Sequence, residues 1–159
     1  MKQLYSIQKQ LDDRILQKHQ LRRDDLFFEK VLALLTEVGE LANETRCFKF
    51  WSNKPASEKP VILEEYVDGI HFILSLGIDG GWEETPDEPV ESNISWTEQF
   101  IRVHQEIMNF QQEPGKERFL TVFREYLQLG KQLGFTMEEI ETAYYSKNKM
   151  NHKRQIEGY

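Results

Sequence analysis

Apolar positions recur every three or four residues along most of the chain, and no stretch alternates inward and outward over a strand's length. Leu4, Ile7, Leu11 and Ile15 predict a first helix over about residues 3–20. Phe28, Val31, Leu35, Val38 and Leu41 predict a second, capped by Asp24 or Asp25 and ending near Glu44. A polar loop over 47–59 follows, and its Phe48, Phe50 and Trp51 read as a buried lid or a base-stacking surface. Pro60 suits the first turn of a third helix, which carries Ile62, Tyr66, Ile70, Ile73 and Leu74 and stops at Gly80-Gly81. After an acidic, proline-containing loop over 81–93, Ser95-x-x-Glu98 is a capping box for a fourth helix with Trp96, Phe100, Val103, Ile107 and Phe110. Pro114-Gly115 breaks it. A fifth carries Phe119, Val122, Tyr126 and Leu129, and Gly134 parts it from a sixth, capped by Thr136-x-x-Glu139 and running to about Lys153. The expected class is all-α: residues 1–159 as a single domain, a bundle of about six helices.

Composition narrows the function. With 39% hydrophobic and 30% charged residues the chain can bury one core. A net charge of −7 argues against a nucleic-acid polymer as partner, which would need a basic face. It leaves a single nucleotide open, because a bound metal ion reverses the local field. The one cysteine, Cys47, allows no intramolecular disulfide and points to a reducing compartment. No apolar run reaches the ~18 residues of a membrane span, and the first residues lack a signal-peptide apolar core. The expected location is the cytoplasm, with no membrane partner.

Two acidic pairs then stand out: Glu37-x-x-Glu40 on the second predicted helix and Glu65-x-x-Asp68 on the third. Spacing of i, i+3 puts both carboxylates of a pair on one face, a turn apart. Consecutive antiparallel helices would bring the four together, and unpaired carboxylates in a dry cleft are forced towards protonation. Hard divalent cations relieve that cost, so the pattern points to Mg²⁺, with Mn²⁺ as an alternative, and hence to phosphate chemistry. Gly39, between the first two acids, suggests close approach by a neighbour or a ligand. Asp68-x-x-His71 also has the spacing of a di-iron ligand pair, but such bundles need the pair twice, and no other histidine has an acid three residues before it. Taken alone, His71 reads as a structural histidine.

A second constellation is C-terminal. Lys147, Asn151 and Arg154 fall at i, i+4 and i+7 and share one stripe of the last helix. Lysine supplies a point charge, arginine a planar fork and asparagine an amide, which together suit a phosphate clamp.

The two constellations together resemble the all-α nucleoside triphosphate pyrophosphohydrolases, and among them the dimeric dUTPase family rather than the trimeric β-barrel dUTPases. E-x-x-E followed by E-x-x-D is the superfamily signature. The run Lys147-Asn148-x-x-Asn151-x-x-Arg154-Gln155-x-x-Gly158-Tyr159 is similar to the dimeric dUTPase pattern, as are Ile7-Gln8-Lys9-Gln10-Leu11-Asp12, Lys49-Phe50-Trp51 and Val67-Asp68-Gly69-Ile70-His71-Phe72. Between about residues 80 and 135 only helicity is shared.

The resemblance implies Mg²⁺-dependent hydrolysis of dUTP to dUMP and pyrophosphate in a homodimer. By matching position it implies Glu37, Glu40, Glu65 and Asp68 as metal ligands, with Glu37 or Glu40 orienting or deprotonating the attacking water. It places Lys147, Asn151, Arg154 and Tyr159 on the phosphates and Gln8, Trp51 and His71 around base and sugar, with Asp12 and Lys49 in the same substrate set. Phe72 or Tyr66 is the expected barrier to a ribose 2′-OH. Asp12 departs from the family, many of whose members have asparagine four residues after the glutamine. An ionised Asp12 can accept from uracil N3–H but cannot donate to a carbonyl, and it can accept from the cytosine amino group. The alternatives to dUTP hydrolysis are therefore a related house-cleaning pyrophosphohydrolase acting on dCTP or a modified nucleotide, and a non-catalytic helical module.

Overall fold

Six α-helices form where the apolar repeat put them: α1 (Leu4–His19), α2 (Phe27–Thr45), α3 (Lys59–Gly80), α4 (Trp96–Gln112), α5 (Lys116–Gln132) and α6 (Met137–Ile156). The computed structural model describes residues 1–158, and among them there is no strand. The all-α bundle expected from periodicity is the observed architecture. Both capping boxes close in both directions, at Ser95/Glu98 and at Thr136/Glu139.

The start of α2 differs from expectation. Asp24 and Asp25 lie in a short 3₁₀ turn (Arg23–Asp25), and Leu26 takes the N-cap position with no side-chain cap. Arg23 is the cause: its guanidinium reaches Asp79 at 2.8 Å and Asp13 at 2.6 Å, which fixes the turn against α3 and α1. Phe27 can then seat its ring edge on Phe110 at 5.6 Å.

Helix α3 is the axis of the bundle. It packs on α1, α2, α5 and α6 and is buried nearly all round from Tyr66 to Ile78, as expected for a helix apolar on every face. Any polar residue in that stretch therefore faces another helix. It runs antiparallel to α2: Ser57, just before α3, bonds Glu44 near the end of α2, while Lys30 near the start of α2 pairs with Asp79 at 2.6 Å near the end of α3.

Close helix approach occurs at other glycines than expected. A Cβ at Gly39 would meet nothing within 4 Å, so no neighbour in the chain requires glycine there. At Gly69 a Cβ would lie 2.1 Å from the Tyr126 hydroxyl, and at Gly130 it would lie 2.4 Å from that of Tyr66. The two tyrosines clasp α3 to α5. Their rings stack at 4.6 Å, Tyr66 donates to the Tyr126 carbonyl at 2.9 Å, and Tyr126 donates to the Tyr66 carbonyl at 2.6 Å. Tyr66, fully buried in this clasp, cannot face a sugar. Gly69→Ala should therefore lower stability by about 2 kcal/mol, since overpacking and a broken buried hydrogen bond outweigh the gain of about 1 kcal/mol in helix propensity. Urea denaturation at constant m reads this directly, and an unchanged midpoint would show that the clasp yields without cost.

Candidate active site

A cavity of about 400 Å³ opens where α1, α2, α3 and α6 meet, lined by residues of all four helices. Its polar lining falls into two linked groups, one of carboxylates with cationic partners and one of buried hydrogen-bonding side chains.

Glu37 of α2 and Glu65 and Asp68 of α3 form the first. One carboxylate oxygen from each lies within 4.8 Å of the others, the arrangement of a site for one hard cation. Burial, and then the charges of Asp68, Glu40 and Glu65, push Glu37 up to about 7. Burial and the neighbouring acids raise Glu65, and burial also raises Asp68 against the pull of Lys147. Such mutual elevation is the signature of anionic groups held together with too little positive charge, so this donor set fits a divalent ion well. Glu40 stands outside the three-residue cluster, exposed, and adds to the upward push on Glu37. Three residues turn a helix through about 300°, so Glu40 sits to the solvent side of Glu37. No histidine joins this cluster among the described residues.

Lys147 on α6 provides the positive charge that is present. Its ammonium lies 3.0 Å from Asp68 and 3.1 Å from Glu64, with its side chain 10% exposed. Burial would lower its pKa, but the hydrogen bonds and charges of Asp68 and Glu64 more than offset that and raise it. Asn151 and Arg154, at the next turns of the same stripe, line the same cavity. Tyr159 lies outside the described residues.

The second group is built across α1, α3 and α6. Gln8 donates from Nε2 to Asp12 Oδ1 at 2.8 Å, and Ser75 donates to Asp12 Oδ2 at 2.8 Å. Gln8 Oε1 accepts from the Tyr144 hydroxyl at 2.8 Å and lies 2.6 Å from His71 Nδ1. The His71 ring stacks on Tyr144 at 4.3 Å. Gln8, Asp12, His71, Phe72 and Ser75 all line the cavity beside Glu37 and Asp68.

The structure thus brings Gln8, Asp12, His71, Glu37, Asp68, Lys147, Asn151 and Arg154 to one cavity, with Glu65 and Glu40 at its acidic margin. It does not bring Lys49 and Trp51 there. Trp51 is 65% exposed, edge-on to Phe48 and Phe50, and Phe50 is 93% exposed, so the loop is no buried lid. Lys49 sits over the Phe48 ring at 5.7 Å. Two contributors went unread in the sequence: Ser75 and Glu64. A serine one helical turn beyond His71, in the apolar stretch from Phe72 to Ile78, was the available signal for the first.

Among the described residues no helix is long and apolar enough to cross a membrane. A family model described as dUTPase matches residues 1–159, the whole chain. No curated protein matches the chain significantly.

Proposed function

We infer the reaction from one premise: the chain belongs to the dUTPase family and is a dUTP diphosphatase. The finer reading is Mg²⁺-dependent hydrolysis of dUTP to dUMP and pyrophosphate, which removes dUTP from the nucleotide pool and supplies dUMP. The observation that carries it is the meeting, in one cavity, of the Glu37/Glu65/Asp68 cluster, the Lys147 stripe and the buried Gln8–Asp12–His71 group.

Glu37, Glu65 and Asp68 would hold the ion. When bound, Mg²⁺ neutralises charge on the phosphate oxygens and acidifies nearby water. The chain's own residues do the rest. Lys147, Asn151 and Arg154 would grip the triphosphate as point charge, amide and fork. Tyr159 would join them. Glu40, one turn from Glu37 but outside the three-residue cluster, is the carboxylate best placed to accept a proton from the attacking water. Water attacks the α-phosphorus, the bond from that phosphorus to the bridging oxygen breaks, and pyrophosphate leaves in line with charge met by Lys147 and Arg154. Gln8, His71 and Phe72 would enclose base and sugar. Trp51 and Lys49 would reach the substrate by movement of their loop or from a second subunit.

A homodimer is part of this proposal. Phe28 and Leu32, one turn apart on α2, are 68% and 65% exposed, and Ile101 on α4, which packs beside α2, is 61% exposed. An apolar face of this kind suits a subunit contact. Low cysteine content and the nucleotide substrate suit the cytoplasm.

The test is a panel of dUTP, dCTP, dTTP, dATP, dGTP and UTP with Mg²⁺, Mn²⁺ or EDTA, products resolved by chromatography. The expected result is dUMP and pyrophosphate from dUTP, lost in EDTA, with little product from the others. Preference for dCTP would reassign the substrate, and turnover in EDTA would remove the metal from the reaction.

A further inference from the structure

One atom in the cavity's buried polar group is without a partner. His71 lines the cavity and is 5% exposed, and its Nε2 is buried with no hydrogen-bond partner among the described residues. A buried polar atom left unpaired costs about 1–3 kcal/mol, so it marks a place where a ligand atom belongs. What ligand atom fits depends on whether Nε2 carries a proton, and the surrounding contacts settle that in three steps.

Asp12 makes the first. Its carboxylate accepts from Gln8 and from Ser75; burial raises its pKa, while the charge of Lys30, those two hydrogen bonds and the Arg23 guanidinium, 3.8 Å from Oδ2, act to keep it ionised. An ionised carboxylate only accepts, so the Gln8 group facing it must be the amide nitrogen. The Gln8 oxygen then faces His71 Nδ1 and the Tyr144 hydroxyl, which must both donate to it. Burial, with the charge of Lys147 adding to it, pushes His71 down to about 3. The ring is therefore neutral at neutral pH and holds a single proton, already placed on Nδ1. Nε2 is left as a bare lone pair.

We propose that Asp12 is a positioning residue for base selection: through Gln8 it holds His71 in the Nδ1–H tautomer, so that Nε2 accepts a hydrogen bond from an N–H donor at position 3 of the bound base. Uracil carries that donor at N3. Cytosine has a lone pair at N3, which would meet the lone pair of Nε2. Thymine shares the N3–H, so its exclusion must come from another contact. The role of Asp12 is thus indirect: its two oxygens are engaged by Gln8 and Ser75, and it selects the base by fixing the direction of a hydrogen-bond chain. An asparagine at position 12 can face Gln8 with oxygen or with nitrogen, and the second choice reverses every bond in the chain and puts the proton on Nε2.

The base-selection half of this inference rests on the reaction proposed above, while the tautomer half does not, and one experiment separates them. In the ¹⁵N-labelled full chain in EDTA, long-range ¹H–¹⁵N spectra report which His71 nitrogen is protonated. Nδ1–H is expected in the free protein. Adding dUMP should shift the Nε2 resonance in the direction of hydrogen-bond acceptance, and dCMP should not. In Asp12→Asn, both tautomers should appear, and the ratio of kcat/KM for dUTP over dCTP should fall about tenfold, the cost of one misdirected buried hydrogen bond. An Nε2–H tautomer in the parent, a single Nδ1–H tautomer surviving in Asp12→Asn, or an Nε2 signal blind to dUMP each overturns the proposal. Absence of turnover with any nucleotide would instead sink the reaction, and the parent tautomer would still decide the role of Asp12.

Discussion

Glu37→Gln should abolish dUTP turnover, by about a thousandfold or more, and yet raise the melting temperature of the metal-free protein. The two effects have one cause. Glu37 shares a cluster with Glu65 and Asp68, and burial together with those neighbours pushes it up to about 7 from 4.5. In the window between these values the folded state holds a proton that the unfolded state releases, so folding stability falls as pH rises through it and stays lower above it. Glutamine keeps the shape, removes the charge and cannot titrate. The variant's advantage in EDTA should therefore be small near pH 4.5 and full above pH 7. Mg²⁺ should reverse the order: it binds the folded parent and raises its melting temperature by mass action, and does so much less in the variant. Melting curves at pH 5 and pH 8, each in EDTA and in Mg²⁺, contain the whole argument. Parental turnover in Glu37→Gln, or a variant that is the less stable at pH 8 in EDTA, would remove Glu37 from the ion site. Glu40→Gln should also fold normally and lose most of its turnover, but its melting temperature should still rise with Mg²⁺, more than that of Glu37→Gln, since Glu40 lies outside the three-residue cluster.

What the sequence made legible was whatever a single helix determines. The 3.6-residue repeat placed all six helices, and both capping boxes, each a local device, closed as read. Three of the four acids, Glu37, Glu65 and Asp68, could be read because i, i+3 spacing fixes which way side chains point, and the stripe from Lys147 to Arg154 for the same reason, while Glu40 lies exposed outside their cluster. Features set by two or more helices were not legible. The start of α2 depends on Arg23 reaching α1 and α3, so a capping rule applied to Asp24 or Asp25 had no access to it. Gly39 drew attention as a mid-helix glycine, whereas the glycines that packing requires are Gly69 and Gly130, each matched to a tyrosine on another helix. Asp12 looked like a residue that faces the base, because nothing in its own helix shows Ser75 arriving from α3 to occupy its second oxygen. Likewise Lys147 reads as a phosphate ligand in sequence, and its contact with Asp68 exists only once α6 lies on α3.

That contact makes Lys147→Met the most informative single variant. Methionine keeps much of the apolar stem and loses the ammonium, so packing changes little while the charge goes. In the metal-free protein Asp68 would be left beside Glu37 and Glu65 without the cation now 3.0 Å away. Losing one partner of a largely buried pair destabilises, here by about 1–3 kcal/mol given that Glu64 and the cavity mouth are open to water. Turnover should fall about a hundredfold or more, because in the proposed reaction the same ammonium meets the charge of the leaving pyrophosphate. Mg²⁺ separates the two roles. An ion held by Asp68 and its neighbours supplies the missing positive charge, so the stability deficit should close as Mg²⁺ is added. The deficit in kcat should remain, because no ion in the carboxylate cluster replaces a group reaching the phosphates from α6. Lys147→Arg should restore the melting temperature in EDTA and recover only part of kcat, since a planar fork is not a compact ammonium. If Lys147→Met instead turns over dUTP at the parental rate in Mg²⁺, Lys147 is a counter-ion for the carboxylate cluster and nothing more, and the phosphate grip must be assigned to other residues.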